Sequence, residues 1–378
     1  MSNPVYLVAA RRTPVAPVKG AFKALSVSDL TVPVIRALLA DTGLKPAVVD
    51  QVILGNALYG GGNPARLISL ASGLPESVPA LTLDTQCCSG LDALRWGAQT
   101  IAGGRADVVL AGGVESTSRR AIRYHRPLSS HEAPLLYERP AFTPWPDRDP
   151  DMADSAARLA DKHGITLAQQ NAWSIESHAR ALAAQARLTG ECIALAGLDV
   201  DAATRRLTER LASRTPRVAQ WQRGEINVAG TALQADAAAV CLLVSEEMLD
   251  RMPADTRAMR WVTDISGGAS ADAPPWAIVP VVQRLFARSG LSADRFHRVE
   301  LMEAYSVQAL VNARQLGLPL DRLNQGGGAL ARGHPIGASG AILAVRAYHE
   351  MVSAPQGSLA LMAIAAAGGL ASAVVLQS

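Results

Sequence analysis

The sequence predicts an α/β protein made of two similar halves, with a segment of different character inserted between them. Three observations carry this expectation. Residues 32–57 and 279–304 align without a gap at an offset of 247. Strand-like and helix-like runs alternate in the same order on both sides of the chain. Residues 116–225 match neither half and are rich in Arg and Pro with no clear period. The 378 residues are 49% apolar and 18% charged, enough for two or three packed units and against disorder.

The repeat rests on identities that hydrophobic patterning alone does not supply. Val32, Pro33, Val34, Leu38, Ala40, Gly43, Leu44, Val52, Leu54 and Ala57 each meet the same residue type in 279–304. Further on, Gly73-Leu74-Pro75 echoes Gly317-Leu318-Pro319, and Ser89-Gly90 echoes Ser339-Gly340. The apolar run at 107–111 echoes the one at 358–362.

Each half therefore reads as helix, strand, helix, short strand, a turn into a small-residue helix, then another strand. Such alternation predicts mostly parallel sheets covered by helices, the halves being related by a pseudo-two-fold axis. Residues 1–115 form the first half, completed by 226–250, and residues 251–378 form the second. The insertion, 116–225, carries an amphipathic helix over about 167–188 and an Arg-rich stretch at 205–223. Loop insertions on such scaffolds often supply substrate contacts.

Composition narrows the function. The net charge of +3 (36 basic minus 33 acidic residues) is too close to neutral to name a polyanionic partner. Aromatic residues at 4% argue against a stacking platform for single-stranded nucleic acid. No run of 18 apolar residues suggests a membrane span, and the N-terminal stretch runs into a strand-like segment at 5–9 without a signal-peptide pattern. Cys87, Cys88, Cys192 and Cys241 do not form a disulfide framework. The expected location is the reducing cytoplasm.

Two small-residue turns carry the chemistry. In the first, Gln86-Cys87-Cys88-Ser89-Gly90-Leu91, a strand-like run ends and a helix begins near Cys87. A thiol at a helix N-terminus meets the positive end of the macrodipole, which favours thiolate. The second turn runs from Gly326 to Gly340 and contains His334, the only one of the seven histidines in such a glycine-rich setting. The duplication places it opposite the first turn. A Cys/His pair is the minimum needed to activate a thiol and move its proton.

These motifs resemble those of the thiolases. Gly333-His334-Pro335-Ile336-Gly337-Ala338-Ser339-Gly340 is similar to the family's histidine motif without a change, and Gln86 to Leu91 to its nucleophile motif. Ala10-Arg11-Arg12-Thr13-Pro14, Gly62-Asn63-Pro64-Ala65-Arg66 and Ala111-Gly112-Gly113-Val114-Glu115-Ser116 extend the resemblance over nearly the whole chain. It implies a duplicated five-layered αβαβα fold, an acyl group carried on Cys87, and His334 as acid/base. It also implies a coenzyme A thioester as substrate, no covalently bound cofactor, no metal, and a homodimer or homotetramer. Cofactor-binding residues stay unassigned. The loop arginines Arg119, Arg120, Arg123, Arg126, Arg205, Arg206, Arg214 and Arg217 are general candidates for coenzyme A phosphates.

Two family motifs are altered. Met302-Glu303-Ala304-Tyr305 stands where thiolases carry Asn-Glu-Ala-Phe, and methionine cannot donate the hydrogen bond of that Asn. Ala363 stands where they carry a second catalytic cysteine, and Ala365 where that motif has glycine. Alanine exchanges no proton. Glu303 is therefore a candidate replacement base, and Cys88 another, although adjacent helix positions point about 100° apart. Thiolase-like chemistry on a 3-ketoacyl-CoA is the first expectation. Acyl transfer, decarboxylative condensation or hydrolysis without an α-proton base is the alternative, and a non-catalytic thiolase-like binding subunit is the alternative of another class.

Overall fold

The computed structural model describes residues 3–188 and 190–378. Its elements begin where the sequence supplies their caps. Helix α1 (Val27–Thr42) starts at Ser26, whose hydroxyl accepts from the Asp29 amide while the Asp29 carboxylate accepts from the Ser26 amide. It ends at Gly43 with φ 67°, and its repeat counterpart α6 (Ile278–Ser289) ends at Gly290 with φ 70°. The duplicated glycine is a left-handed helix stop that a Cβ would strain.

The remaining helices of eight residues or more are α2 (Pro64–Ala71), α3 (Ser89–Ala102), α4 (Met152–His163), α5 (Leu167–Ala183), α7 (Ser306–Leu316) and α8 (Ile336–Glu350). The main strands of the first half are β1 (Val5–Arg12), β2 (Gln51–Gly55), β3 (Ala80–Leu83), β4 (Val108–Ser116) and β5 (Ala235–Ser245). Those of the second half are β6 (Met259–Gly268), β7 (Phe296–Leu301), β8 (Leu359–Ala366) and β9 (Leu370–Gln377).

The strands run in the order β7-β8-β9-β6-β1-β5-β4-β2-β3, and the two-residue strand Ala16–Pro17 also pairs with β5. The duplication is visible in this order. In the first half β2 is parallel to β4, β4 antiparallel to β5, and β5 antiparallel to β1. In the second half β7, β8, β9 and β6 repeat that pattern strand for strand. The counterpart of β3 shrinks to one bridge between Val299 and Leu323. The half-sheets meet where Tyr6 and Leu7 of β1 pair with Arg260 and Met259 of β6.

The expectation of mostly parallel sheets is corrected here. Only β2–β3, β2–β4 and β7–β8 are parallel; the other pairings of the main sheet are antiparallel. Each half closes with a strand that returns beside its predecessor. In the second half the tight turn at Ala367–Gly369 forces this return, and in the first half the long excursion between β4 and β5 permits it.

Helices α3 and α8 lie side by side between the half-sheets, α3 against β2, β4 and β5 and α8 against β4, β5, β7 and β8. Helices α1 and α2 cover the outer face of the first half, and α6, with α7 on it, that of the second. The result is a duplicated five-layered αβαβα arrangement, with one apolar cluster around the central helices and one under each outer layer. Nearly every residue of α8 from Gly337 to Glu350 is buried, as a helix with protein on all sides requires.

The two central helices touch at paired glycines. A Cβ on Gly90 would lie 2.8 Å from the Ala341 nitrogen and the Gly337 oxygen, and one on Gly340 would lie 2.5 Å from the Leu91 nitrogen. The Ser-Gly echo read in the sequence is thus the contact that brings both small-residue turns together. Between β4 and β5 the chain leaves the sheet to form α4, α5 and the hairpin Arg217–Trp221/Gly224–Asn227. Helices α4 and α5 rest on α7, and buried ion pairs from Arg12 to Glu191 and Asp201 tie this segment to β1.

Candidate active site

The first turn is sharper than a simple helix start. Gln86–Cys88 form a 3-10 turn, and α3 follows from Ser89. Gln86 sits at φ 55°, a left-handed conformation rare for a residue with a Cβ. The turn is held by Thr85 N donating to Ser89 Oγ, Thr85 Oγ1 donating to Asp92, and the Gln86 amides donating to Asp84. This presents Cys87 at the C-terminal end of the β3 side of the sheet.

His334 arrives from the other half. Its amide donates to Leu233 O, and its neighbour Gly333 has φ 116°. His334 Nε2 lies 3.1 Å from Cys87 Sγ, and both residues are half-buried. On the far side of the ring Nδ1 is 2.6 Å from Ser339 Oγ, which in turn is 2.8 Å from Pro335 O. Pro335 O can only accept, and a hydroxyl has one hydrogen. If that hydrogen goes to Pro335 O, Ser339 accepts from Nδ1–H and Nε2 is left as the acceptor facing the thiol. The network therefore favours the tautomer a general base needs.

Burial sets the resting charge state. It pushes the Cys87 thiol up to about 12, with Glu115 and Asp84 adding to the effect against its own backbone N–H, and it pushes His334 down to about 4. Cys87 lies in the 3-10 turn that leads directly into α3, so the macrodipole and the backbone N–H work against this upward push. The pair rests as neutral thiol and neutral imidazole.

The structure brings Cys87 and His334 together and does not bring Glu303 into the pair. Glu303 is buried behind the site, its oxygens accepting from Trp173 Nε1 at 3.1 Å, Ser177 Oγ at 2.8 Å, Asn324 Nδ2 at 2.7 Å and Leu330 N at 3.3 Å. Among the described residues it makes no hydrogen bond to either member of the pair. Burial raises its carboxyl above the usual range. Its contacts join α5, the glycine-rich segment and the end of β7. Cys88 turns the other way, its sulfur 3.6 Å from Ile364 O inside the central core.

Ala363 and Met302 are neighbours, the Met302 amide donating to Ala363 O at 2.9 Å, and both are buried. Of the loop arginines, Arg120 and Arg217 are paired with Glu138 and Glu225, and Arg123 donates to Ala57 O. Sequence reasoning passed over the roles of Ser339 and Glu115. Ser339 lay inside the quoted histidine motif, and Glu115 ends an otherwise apolar strand, a signal that a buried acid has a partner to meet.

The duplicated αβαβα fold presents a thiol to an imidazole across its two halves, and its similarity to known proteins places it among acyltransferases. The chain belongs to the thiolase family: residues 5–247 match the thiolase N-terminal domain and residues 259–378 the thiolase C-terminal domain. It is 34% identical over 375 residues to a putative acetyl-CoA C-acetyltransferase, YhfS, of Bacillus subtilis, covering 98% of each chain. It is 35% identical over 373 residues to an acetyl-CoA acetyltransferase of Pseudomonas aeruginosa, covering 92% of this chain and 93% of that one. The human mitochondrial 3-ketoacyl-CoA thiolase in complex with CoA has the same fold, with a TM-score of 0.90 at 28% identity over 100% of this chain and 98% of that one. The Acat5 thiolase of Ascaris suum in complex with coenzyme A gives 0.89 at 28% identity over 99% and 100%.

Proposed function

We propose that the protein takes an acyl group from a coenzyme A thioester onto Cys87, and that this serves carbon–carbon bond formation or cleavage on a 3-ketoacyl-CoA. The observation that carries the reading is the 3.1 Å contact between His334 Nε2 and Cys87 Sγ. Cys87 attacks the thioester carbonyl as its proton passes to His334. The tetrahedral intermediate collapses, the bond to the coenzyme A sulfur breaks, and His334 returns the proton to the departing thiolate.

In the cleavage direction Cys87 attacks the 3-keto carbon instead, and the bond between C2 and C3 breaks. The carbanion left on the coenzyme A fragment then needs a proton. Ala363 has none, while Glu303 and Cys88 are engaged elsewhere, so the proton that His334 took from Cys87 is the one at hand. The same arrangement favours a second reading. Transfer of the acyl group to an amine, an alcohol or water, or condensation driven by decarboxylation, needs no α-proton base.

The test begins with mass spectrometry of protein incubated with acetyl-CoA. A 42 Da adduct on the Cys87 peptide is expected (about the mass of one acetyl group less a proton); an unmodified peptide overturns the reading and favours a non-catalytic binding subunit. Cleavage of acetoacetyl-CoA by free coenzyme A then separates the two enzymatic readings. His334→Ala is expected to slow acylation by roughly 100- to 10,000-fold. The protein is further proposed to work in the cytoplasm as a homodimer or homotetramer, a state that light scattering reads directly. No helix among the described residues is long and apolar enough to cross a membrane.

A further inference from the structure

Glu115 is buried at the end of β4, and four donors converge on its carboxylate. Oε1 accepts from Asn56 Nδ2 at 2.7 Å and from Leu58 N at 3.3 Å; Oε2 accepts from Ala57 N at 3.1 Å and from Gly337 N at 2.9 Å. Gly337 lies three residues after His334 and opens α8, so its amide is one of the unpaired donors of that helix end. The chains approach so closely here that a Cβ on Gly337 would lie 2.8 Å from the Asn56 Cα and 3.1 Å from Glu115 Oε2.

We infer that Glu115 is a positioning residue for acyl transfer: its carboxylate ties the His334 turn of one half to the 56–58 loop of the other and so sets the distance from His334 to Cys87. The inference rests on the acyl-Cys87 reading. All four partners are donors, so only the ionised carboxylate satisfies them; a protonated acid would turn its hydrogen toward an N–H.

Burial pushes this carboxyl up to about 7, against the amides of Ala57, Gly337 and Leu58, and Asp84 pushes it further the same way. The other titratable groups facing it are Cys87 on the first turn, His334 on the second, and Arg119 and Tyr59 across a cavity of about 400 Å3 that Glu115 and Asn56 also line. His334 titrates near 4 and Cys87 near 12, well clear of this range. Positioning is therefore lost as pH falls through about 7. Stability moves the other way: an acid whose folded value lies above its unfolded 4.5 makes the fold more stable as pH falls from about 7 toward 4.5.

The experiment is single-turnover acylation of Cys87 by acetyl-CoA, followed by mass spectrometry from about pH 8 to about pH 5.5, with the thermal midpoint read at each pH. In wild type the rate is expected to fall with an apparent pKa near 7 while the thermal midpoint does not. A flat rate over that range overturns the inference, whether or not any variant folds. Glu115→Gln is expected to lower the plateau rate about 10- to 100-fold and to remove the acid limb. Glu300→Gln, which alters another buried carboxyl raised to about 7, is expected to leave the limb in place. In a His334→Ala background Glu115→Gln is expected to add nothing, because it acts through His334; an additive loss points to a merely structural role and overturns the inference. Wild type without an adduct defeats the acyl-Cys87 reading, whereas a wild-type adduct with an unchanged rate in Glu115→Gln defeats this inference alone.

Discussion

At the scale of single residues, the site is a neutral pair whose reactivity depends on where one proton sits. Ser339 decides that through its link to Pro335 O. Ser339→Ala removes the acceptor for Nδ1–H and lets the imidazole adopt the other tautomer. Acylation is expected to slow on the order of 10-fold, as when other orienting hydrogen bonds are removed, with little change in the thermal midpoint. The comparison of Glu303 with Glu115 is instructive at this scale. Sequence motifs singled out Glu303 because Ala363 leaves a base missing and Glu303 lies on a motif that the thiolase resemblance brings to the site. Its buried oxygens are nonetheless consumed by Trp173, Ser177, Asn324 and Leu330. Glu115, passed over in a strand, reaches the backbone of the histidine turn. Motif spacing reports what kind of side chain is present; which donors surround it depends on contacts from distant segments.

At the scale of elements, the contact between α3 and α8 is the joint on which the site turns. Gly340→Ala would place a methyl group 2.5 Å from the Leu91 nitrogen, a backbone atom that cannot swing aside. The expected cost is about 2–3 kcal/mol in urea unfolding, together with slower acylation, since both turns begin these helices. This joint was legible in the chain as the echo of Ser89-Gly90 in Ser339-Gly340. So were the helix ends at Gly43 and Gly290, because a left-handed stop leaves a glycine behind. Strand direction was not legible. Alternation of helix and strand suits parallel pairing, but β5 and β9 each return antiparallel beside the preceding strand, and nothing in their apolar composition marks that.

At the scale of the whole molecule, buried charges bind the inserted segment to the core. Arg12 of β1 pairs with Glu191 and Asp201, and Arg346 of α8 pairs with Glu191 and Glu350. Burial pushes Glu191 up, but Arg346 and Arg12 outweigh it and hold the carboxyl at about 2. A folded value below the unfolded 4.5 contributes stability above pH 4.5 that is lost as pH falls toward 2. Acid unfolding monitored by circular dichroism is expected to show its transition in that window. Arg12→Met leaves Glu191 and Asp201 facing a neutral side chain, and is expected to cost about 3–5 kcal/mol and move the transition to higher pH.

The pairing of Cys87 with His334 across 247 residues also has a consequence in time. During synthesis the thiol leaves the ribosome first. At roughly 5–20 residues per second its base follows some 12–50 seconds later. Until then the nascent chain carries Cys87 without the imidazole that meets it in the folded protein. The Cys87–His334 pair is therefore complete only once the second half has folded onto the first.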